Sequence, residues 1–319
     1  MENLKSLEIP YESYLYTQRK LTASSEKLLA EHAEQLDRTV DAPPLSSVQV
    51  RSNSFWTQPV QEVESYRKLL ELVAQIAALN PQYQLFFRGQ TNNWIGGGFD
   101  TTLYSGIWRD PLSSKSLSAR CAALNDASDA FQKAYTRYYA KDPAAKLFLK
   151  RLKQNPLVRW ALLQHYGVCE TPLLDVTRNL LVACTFARMG AASGHGYVYV
   201  LALPYLREAI SIDDGEGMAV MSLLGVTPPS ARRPLNQDGF LVSTSEWWRY
   251  KASETTSDAP GTGDRPNYYK RVIIAFRIPT SDSFYEGSGL SDLSNEWLCP
   301  IEDEFAHMLQ QTGFEPDFW

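Results

Sequence analysis

Polar residues set into apolar stretches mark where this chain could do chemistry. In LFFRGQTNNW, residues 85–94, Arg88 follows Leu85, Phe86 and Phe87 and precedes Gly89. An uninterrupted apolar run reads as a strand covered on both faces. Arg88 is then expected at the strand's end, either presented to a ligand or paired with an acid at a sheet edge. Gly89 leaves the backbone open to close approach by a ligand or by another part of the chain. A second segment, ALLQHYGVCETPLLDVTRNLLVACTFAR at 161–188, holds His165, Asp175 and Thr177. Asp175 is a carboxylate in an apolar strand and needs a partner or a hydrogen-bonding network. His165 stands just ahead of Gly167, a plausible left-handed helix cap, and either bonds a carbonyl or serves the site. Thr177 can cap the following helix or brace the turn before it. Polar residues at the ends of apolar strands sit where α/β clefts open. Arg88, Gln90, His165, Asp175 and Thr177 are therefore expected to share one pocket.

Other chemistries find less support. A metal-dependent nuclease would need clustered acids, and Asp175 has no Asp or Glu at a convincing spacing. Cys121, Cys169, Cys184 and Cys299 lie far apart with no CxxC pair, which argues against zinc and against a disulfide framework. WIGGGFD at 94–100 lacks the Lys-Ser/Thr of a phosphate loop and reads as a lid or a bulge. The net charge of −5 disfavours generic binding to a phosphate backbone. The N-terminal MENLKSLEIPYESY has no apolar core of a signal peptide, and no run of 18 apolar residues is present. Reduced thiols and a cytoplasmic setting are the expectation.

The elements that must position these residues follow from periodicity. The 319 residues, 44% hydrophobic and 12% aromatic, suffice for one large domain or two ordinary ones. An extended arm, a helix over about 22–36 and a Pro/Ser-rich linker come first. A helix is predicted over Val60–Leu79, with Val63, Tyr66, Leu70, Val73 and Ile76 on one face. The strand with Arg88 follows, then helices at 117–139, 143–153 and 157–165. Strands are predicted at TPLLDV, at 196–203, at GFLVST (239–244) and at RVIIAFRIP (271–279), with a helix over Asn179–Met189. The rest of 204–270 reads as irregular, EDEFAHMLQQ as a last helix, and the apolar tail FEPDFW as docked on the body or on a second subunit. The chain is α+β: a helical N-terminal part and a mixed sheet formed mainly by the second half.

In these motifs the chain resembles the FRG domain family. The resemblance rests on Phe87-Arg88-Gly89 with Gln90, on Gln164-His165-Tyr166-Gly167, and on Thr171-Pro172-Leu173-Leu174-Asp175-Val176-Thr177 followed by Phe186-Ala187. Arg233, Gln237, Gly239 and Phe240 resemble a later family feature, which also absorbs STSEWW at 243–248 as structural. The likeness covers roughly 60–312, and it implies an N-terminal region at 1–58 and an FRG domain at 59–319 with a helical insertion at about 110–160. The family often has Arg where Leu173 stands and Trp where Val176 stands.

The order of these motifs is in turn similar to that of ADP-ribosyltransferases, which bind NAD in a split, mixed sheet. That resemblance implies Arg88 on the NAD diphosphate, Thr177 orienting an acid or a ribose hydroxyl, and Glu296 of SNEWLCP at the ribose, with Glu302, Asp303 and Glu304 as rival acids. It places Gly89, Gln90, His165, Tyr166 and Asp175 around the cofactor, with Tyr166 stacked on nicotinamide. The implied function is NAD-consuming ADP-ribosyl transfer to a protein or nucleic-acid acceptor, or NAD hydrolysis, in a toxin or phage-defence setting. The alternative is a non-catalytic module that binds a nucleotide or a protein.

Overall fold

The structure is a computed structural model and describes residues 60–94, 103–109, 117–143, 145–213, 217–228, 230–244 and 268–316. The expected arm, first helix and linker lie outside these residues, as do nearly all of WIGGGFD, the end of STSEWW and the last three residues of FEPDFW. The described chain is mixed α and β structure arranged in two compact units. The first is drawn from the described parts of 1–103, 177–205 and 267–293, the second from those of 104–176, 206–266 and 294–319.

In the first unit four strands run in the order β1-β8-β4-β2: β1 is Val60–Glu62, β2 Gln84–Gln90, β4 His195–Leu203 and β8 Val272–Pro279. β1 joins β8 in parallel, and the other pairs are antiparallel, so the sheet is mixed. Thr177, the last residue of β3 (Leu174–Thr177), pairs with Phe87 of β2. Helices α1 (Tyr66–Leu79) and α5 (Leu180–Arg188) cover one face, burying Leu69, Ile76, Ala183 and Ala187 against Phe87, Val198, Val200, Ile274 and Phe276.

The single helix predicted over Val60–Leu79 is two elements. The strand ends at Glu62, and Ser65 caps α1, its side chain accepting from the Lys68 amide at 3.3 Å. Val63, Tyr66, Val73 and Ile76 of the expected apolar face are buried, joined by Leu69 and Leu72, while Leu70 is 51% exposed. β2 runs on through Gln90, so Arg88 stands inside the strand rather than at its end. Thr177 does not cap the next helix. Asn179 does, accepting from the amides of Leu181 and Val182, while the Thr177 hydroxyl accepts from the Asn179 amide at 3.0 Å.

The C-terminal half of α5 is pinned by Arg188. Its guanidinium donates to Asp292 at 3.0 Å and to the carbonyls of Ser281 at 3.1 Å and Pro279, and it lies over the rings of Phe284 and Tyr285. Such a buried cation is tolerable because Nε meets a carboxylate and Nη1 meets backbone carbonyls.

In the second unit the strand order is β3-β7-β6-β5, with β5 Ile210–Asp213, β6 Met218–Ser222 and β7 Gly239–Thr244. β5 and β6 lie in a stretch expected to be irregular. β6 is buried at Met218–Met221 and so shows no alternation that a sequence pattern could reveal. The predicted helices are present as α2 (Leu117–Tyr138), α3 (Ala145–Gln154) and α4 (Pro156–His165). Their core holds Phe131, Tyr135, Phe148, Trp160 and Phe305, and Phe314 of the C-terminal tail packs on it. Arg159 ties α4 back to α2 and α3 through Ser128, Gln132, Asp129 and the Leu152 carbonyl. The short helices α6 (Leu223–Val226), α7 (Arg232–Asn236) and α8 (Asn295–Leu298) and the terminal α9 (Glu304–Gln311) complete the unit. Among the described residues no helix is long and apolar enough to cross a membrane, and no group of three or more His, Cys, Asp or Glu side chains could hold a metal ion.

At two points of the sheet helix α5 comes too close for any side chain to fit beneath it. A Cβ on Gly89 would fall 1.9 Å from the Ala183 carbonyl oxygen, and one on Gly196 would fall 1.9 Å from that of Ala187. Relief requires moving helix backbone. Gly89→Ala is therefore expected to destabilise the protein by about 1–3 kcal/mol, read as a lower urea midpoint at unchanged slope. Gly106→Ala, whose nearest neighbour would be the Glu170 Cβ at 3.4 Å, should leave the midpoint nearly unchanged.

Candidate functional site

The expected site residues fall into two groups, one in each unit. In the first unit Phe87 and Gly89 point toward α5, and alternation along the strand turns Arg88 and Gln90 to the opposite face. Arg88 is half-buried, and its Nε donates to Gln90 Oε1 at 3.4 Å. Cross-strand pairing sets Tyr199 beside Arg88 and Tyr197 beside Gln90. The Tyr199 hydroxyl donates to Asn93 Oδ1 at 3.0 Å. Burial pushes the Tyr199 phenol well up, against the smaller opposing effects of a hydrogen bond with Gln90 and the charge of Arg88. Tyr199 is therefore a neutral hydrogen-bonding group. Thr177 is buried beside Phe87, its hydroxyl engaged with the Asn179 amide. The side-chain space at Gly89 belongs to α5, which is the reason for the glycine on that side and replaces close approach of a cofactor as its explanation.

In the second unit one hydrogen-bonded chain links the two conspicuous motifs. The Leu173 amide donates to Thr171 Oγ1 at 3.0 Å, and Thr171 Oγ1 donates to Gln164 Oε1 at 2.9 Å. Gln164 Nε2 donates to Asp175 Oδ2 at 2.9 Å, and His165 Nδ1 lies 3.1 Å from Asp175 Oδ1. The carboxylate demanded by an apolar strand thus finds the last turn of α4 as its partner. Asp175 keeps 33% of its side-chain surface exposed, whereas the His165 side chain keeps 4%. Burial pushes the imidazole below its usual value, outweighing the hydrogen bond and charge of Asp175. The Arg233 charge acts in the same direction as burial, and the Arg233 backbone weakly favours the proton. His165 is then a neutral ring donating from Nδ1 to the carboxylate. Gly239 leaves the space that the ring fills: a Cβ there would meet His165 Cε1 at 3.1 Å and Leu223 Cδ1 at 2.9 Å.

Tyr166 is 1% exposed, and its hydroxyl donates to Asp303 Oδ2 at 2.7 Å. It cannot stack on a nicotinamide from there. Arg233 lies over its ring at 5.7 Å. Asp303 also accepts from the amides of Arg232, Arg233, Phe305 and Ala306. This carboxylate caps α9 and has no capacity left for a ligand, which removes it from the rival acids. A cavity of about 10 Å³ beside Tyr166, Arg233, Cys299 and Asp303 has room for one water and not for a nucleotide. Glu302 and Glu304 are exposed, and Glu302 pairs with Arg232 at 3.7 Å. Glu296 is exposed in the first turn of α8. Gln237 Nε2 donates to the Leu298 carbonyl at 2.8 Å, which explains the Gln of the later motif as a tie between α7 and α8.

Sequence reasoning missed two contributors. Gln164 bridges Thr171 to Asp175, and its place inside the Gln-His-Tyr-Gly run was the available signal. Arg109 acts electrostatically with Asp175 and Glu170. Nothing in the sequence around Arg109 announces that role.

The buried imidazole makes stability depend on pH. A folded-state pKa below the unfolded value of about 6.5 contributes stability that is present above pH 6.5 and lost as pH falls below it. The wild-type thermal midpoint should fall between pH 7 and 5.5, and His165→Gln, although less stable at pH 7, should show a shallower fall over that interval.

No curated protein and no solved structure matches the chain. A family model does: residues 83–194, the stretch that runs from β2 through the α4–β3 network and α5, match the FRG domain.

Proposed function

We propose that the FRG domain of this chain recognises a nucleotide through the Arg88 face of its first unit, with NAD as the ligand and ADP-ribosyl transfer as the reaction. The observation that carries this reading is the placement of Arg88: a permanent cation, half-buried in a sheet, with Gln90 and Tyr199 on the same face. A planar guanidinium there suits the two oxygens of a diphosphate. The residues fit a diphosphate and a ribose better than a nicotinamide ring, because Tyr166 is committed to the core.

In the proposed reaction the bond between the ribose C1′ and the nicotinamide nitrogen breaks, and its electron pair leaves with nicotinamide. The ribose carries the positive charge until an acceptor oxygen attacks and gives up its proton. A carboxylate near that ribose would stabilise the charge. Transfer to a protein or nucleic acid, in a toxin or phage-defence role, is the wider form of the proposal. A second reading, a binding module without turnover, is favoured by the use of Tyr166 and Asp303 as structural groups.

Incubation of the purified chain with NAD, with nicotinamide release followed over time, tests both. Under the enzyme reading Arg88→Ala should weaken NAD binding by about tenfold to a hundredfold. Replacing the acid that stabilises the ribose charge should retain binding and slow the chemical step, because its contact strengthens only in the transition state. Binding without nicotinamide release, with candidate acceptors present, selects the module. Failure to bind NAD at all removes both uses of Arg88.

A further inference from the structure

The register of the first unit aligns four side chains in one row across the sheet. Gln90 of β2 pairs with Tyr197 of β4, Tyr197 with Arg277 of β8, and Arg277 with Glu62 of β1. Paired residues share a face, so this row lies on the Arg88 side, directly beside the Arg88–Tyr199 row. The same face is closed at its other end, where Phe86, Leu201 and Leu203 are fully buried. It opens at Gln90, Tyr197, Arg277 and His195, which are half-buried, and at Glu62, which is exposed. Arg277 is held down along the row: Nη1 meets Glu62 Oε1 at 2.9 Å and Nη2 meets His195 Nε2 at 3.5 Å.

Strands lie about 4.8 Å apart, so the backbones of β2 and β8 are separated by about 10 Å with β4 between them. Both guanidinium groups can therefore reach a ligand lying over Tyr197. An amide, a phenol ring and two guanidinium groups on one half-open surface combine the elements that hold nucleotides: planar stacking area and cationic donors for phosphate. A neighbouring carboxylate such as Glu62 can accept from the two hydroxyls of a ribose.

We propose that this row is a nucleoside diphosphate site, with Arg88 and Arg277 on the phosphates, Tyr197 against the base or the sugar, and Glu62 on the ribose diol. The proposal extends the reading of Arg88 as a diphosphate contact and adds Arg277, Tyr197 and Glu62 to it. Glu62 also acts as counter-ion to Arg277, so phosphate binding competes with an ion pair already made.

Calorimetric titration with ADP and with adenosine tests it on the wild-type chain and on Arg88→Ala, Arg277→Ala, Arg277→Lys, Tyr197→Ala and Glu62→Gln. Arg277→Ala should weaken ADP binding by about tenfold and leave adenosine binding nearly unchanged, and Arg277→Lys should restore part of the loss. Glu62→Gln breaks the same ion pair and frees the arginine for phosphate while keeping one amide oxygen that can accept from the ribose, so ADP binding should hold or tighten although adenosine, which gains nothing from the freed arginine, binds more weakly. Equal weakening by Glu62→Gln and Arg277→Ala would mean that the pair only supports the sheet, and would overturn the site. Weakening by Arg88→Ala with Arg277→Ala as tight as wild type overturns this inference and leaves Arg88 in place. The reverse pattern keeps the row and removes Arg88. A wild-type chain that binds neither ADP nor NAD at millimolar concentration removes both.

Discussion

The closeness of helix α5 to the sheet beneath it is the constraint on which the first unit depends. Gly89 and Gly196 present bare backbone to the carbonyls of Ala183 and Ala187, and no other residue type fits either position without displacing the helix. With the helix this near, Phe87 on one side of Gly89 fills the core, and strand alternation sends Arg88 to the far face. The tripeptide Phe-Arg-Gly is thus a short in-out-in code: ring into the core, cation out, no side chain under the helix. Arg188 at the end of the same helix completes the clamp by gathering Asp292 and two backbone carbonyls.

The second unit solves a different problem with similar economy. A buried polar network is costly where its members go unpaired, and here Thr171, Gln164, Asp175 and the Nδ1 of His165 are joined in sequence. The network joins the end of α4 to β3 and fixes the angle at which the chain re-enters a strand. Gly239, from a distant stretch, makes room for the imidazole. The recurring residues of both motifs therefore have architectural reasons that stand whatever the ligand is, and Arg88 is the motif residue whose placement is least explained by packing.

Local pattern was enough to find most helices and the longer strands, and to single out Asp175 as a group in need of a partner. It could not say which backbone would come near Gly89, because Ala183 is far along the chain. It misassigned the cap of α5, since Thr177 and Asn179 can both serve and only the extent of β3 decides between them. It offered Tyr166 as a ligand contact because its partner, Asp303, lies 137 residues away. Strands β5 and β6 escaped notice because they are short, and β6 is buried without alternation.

The position of β8 has a consequence for how the chain is made. Among the described residues it is the last strand in sequence, yet it lies between β1 and β4. Synthesis delivers β1, β2 and β4 long before it, so β1 and one edge of β4 emerge with their backbone groups unpaired. Open edges of this kind invite pairing with other chains, and non-local closure slows folding. A nascent chain paused before Val272 would hold a core missing Ile273, Ile274, Phe276 and Ile278, all of them buried in the finished unit. A fragment cut to residues 83–194 would lack β1, β4 and β8 altogether, and would leave the edge of β2 that β4 covers permanently bare.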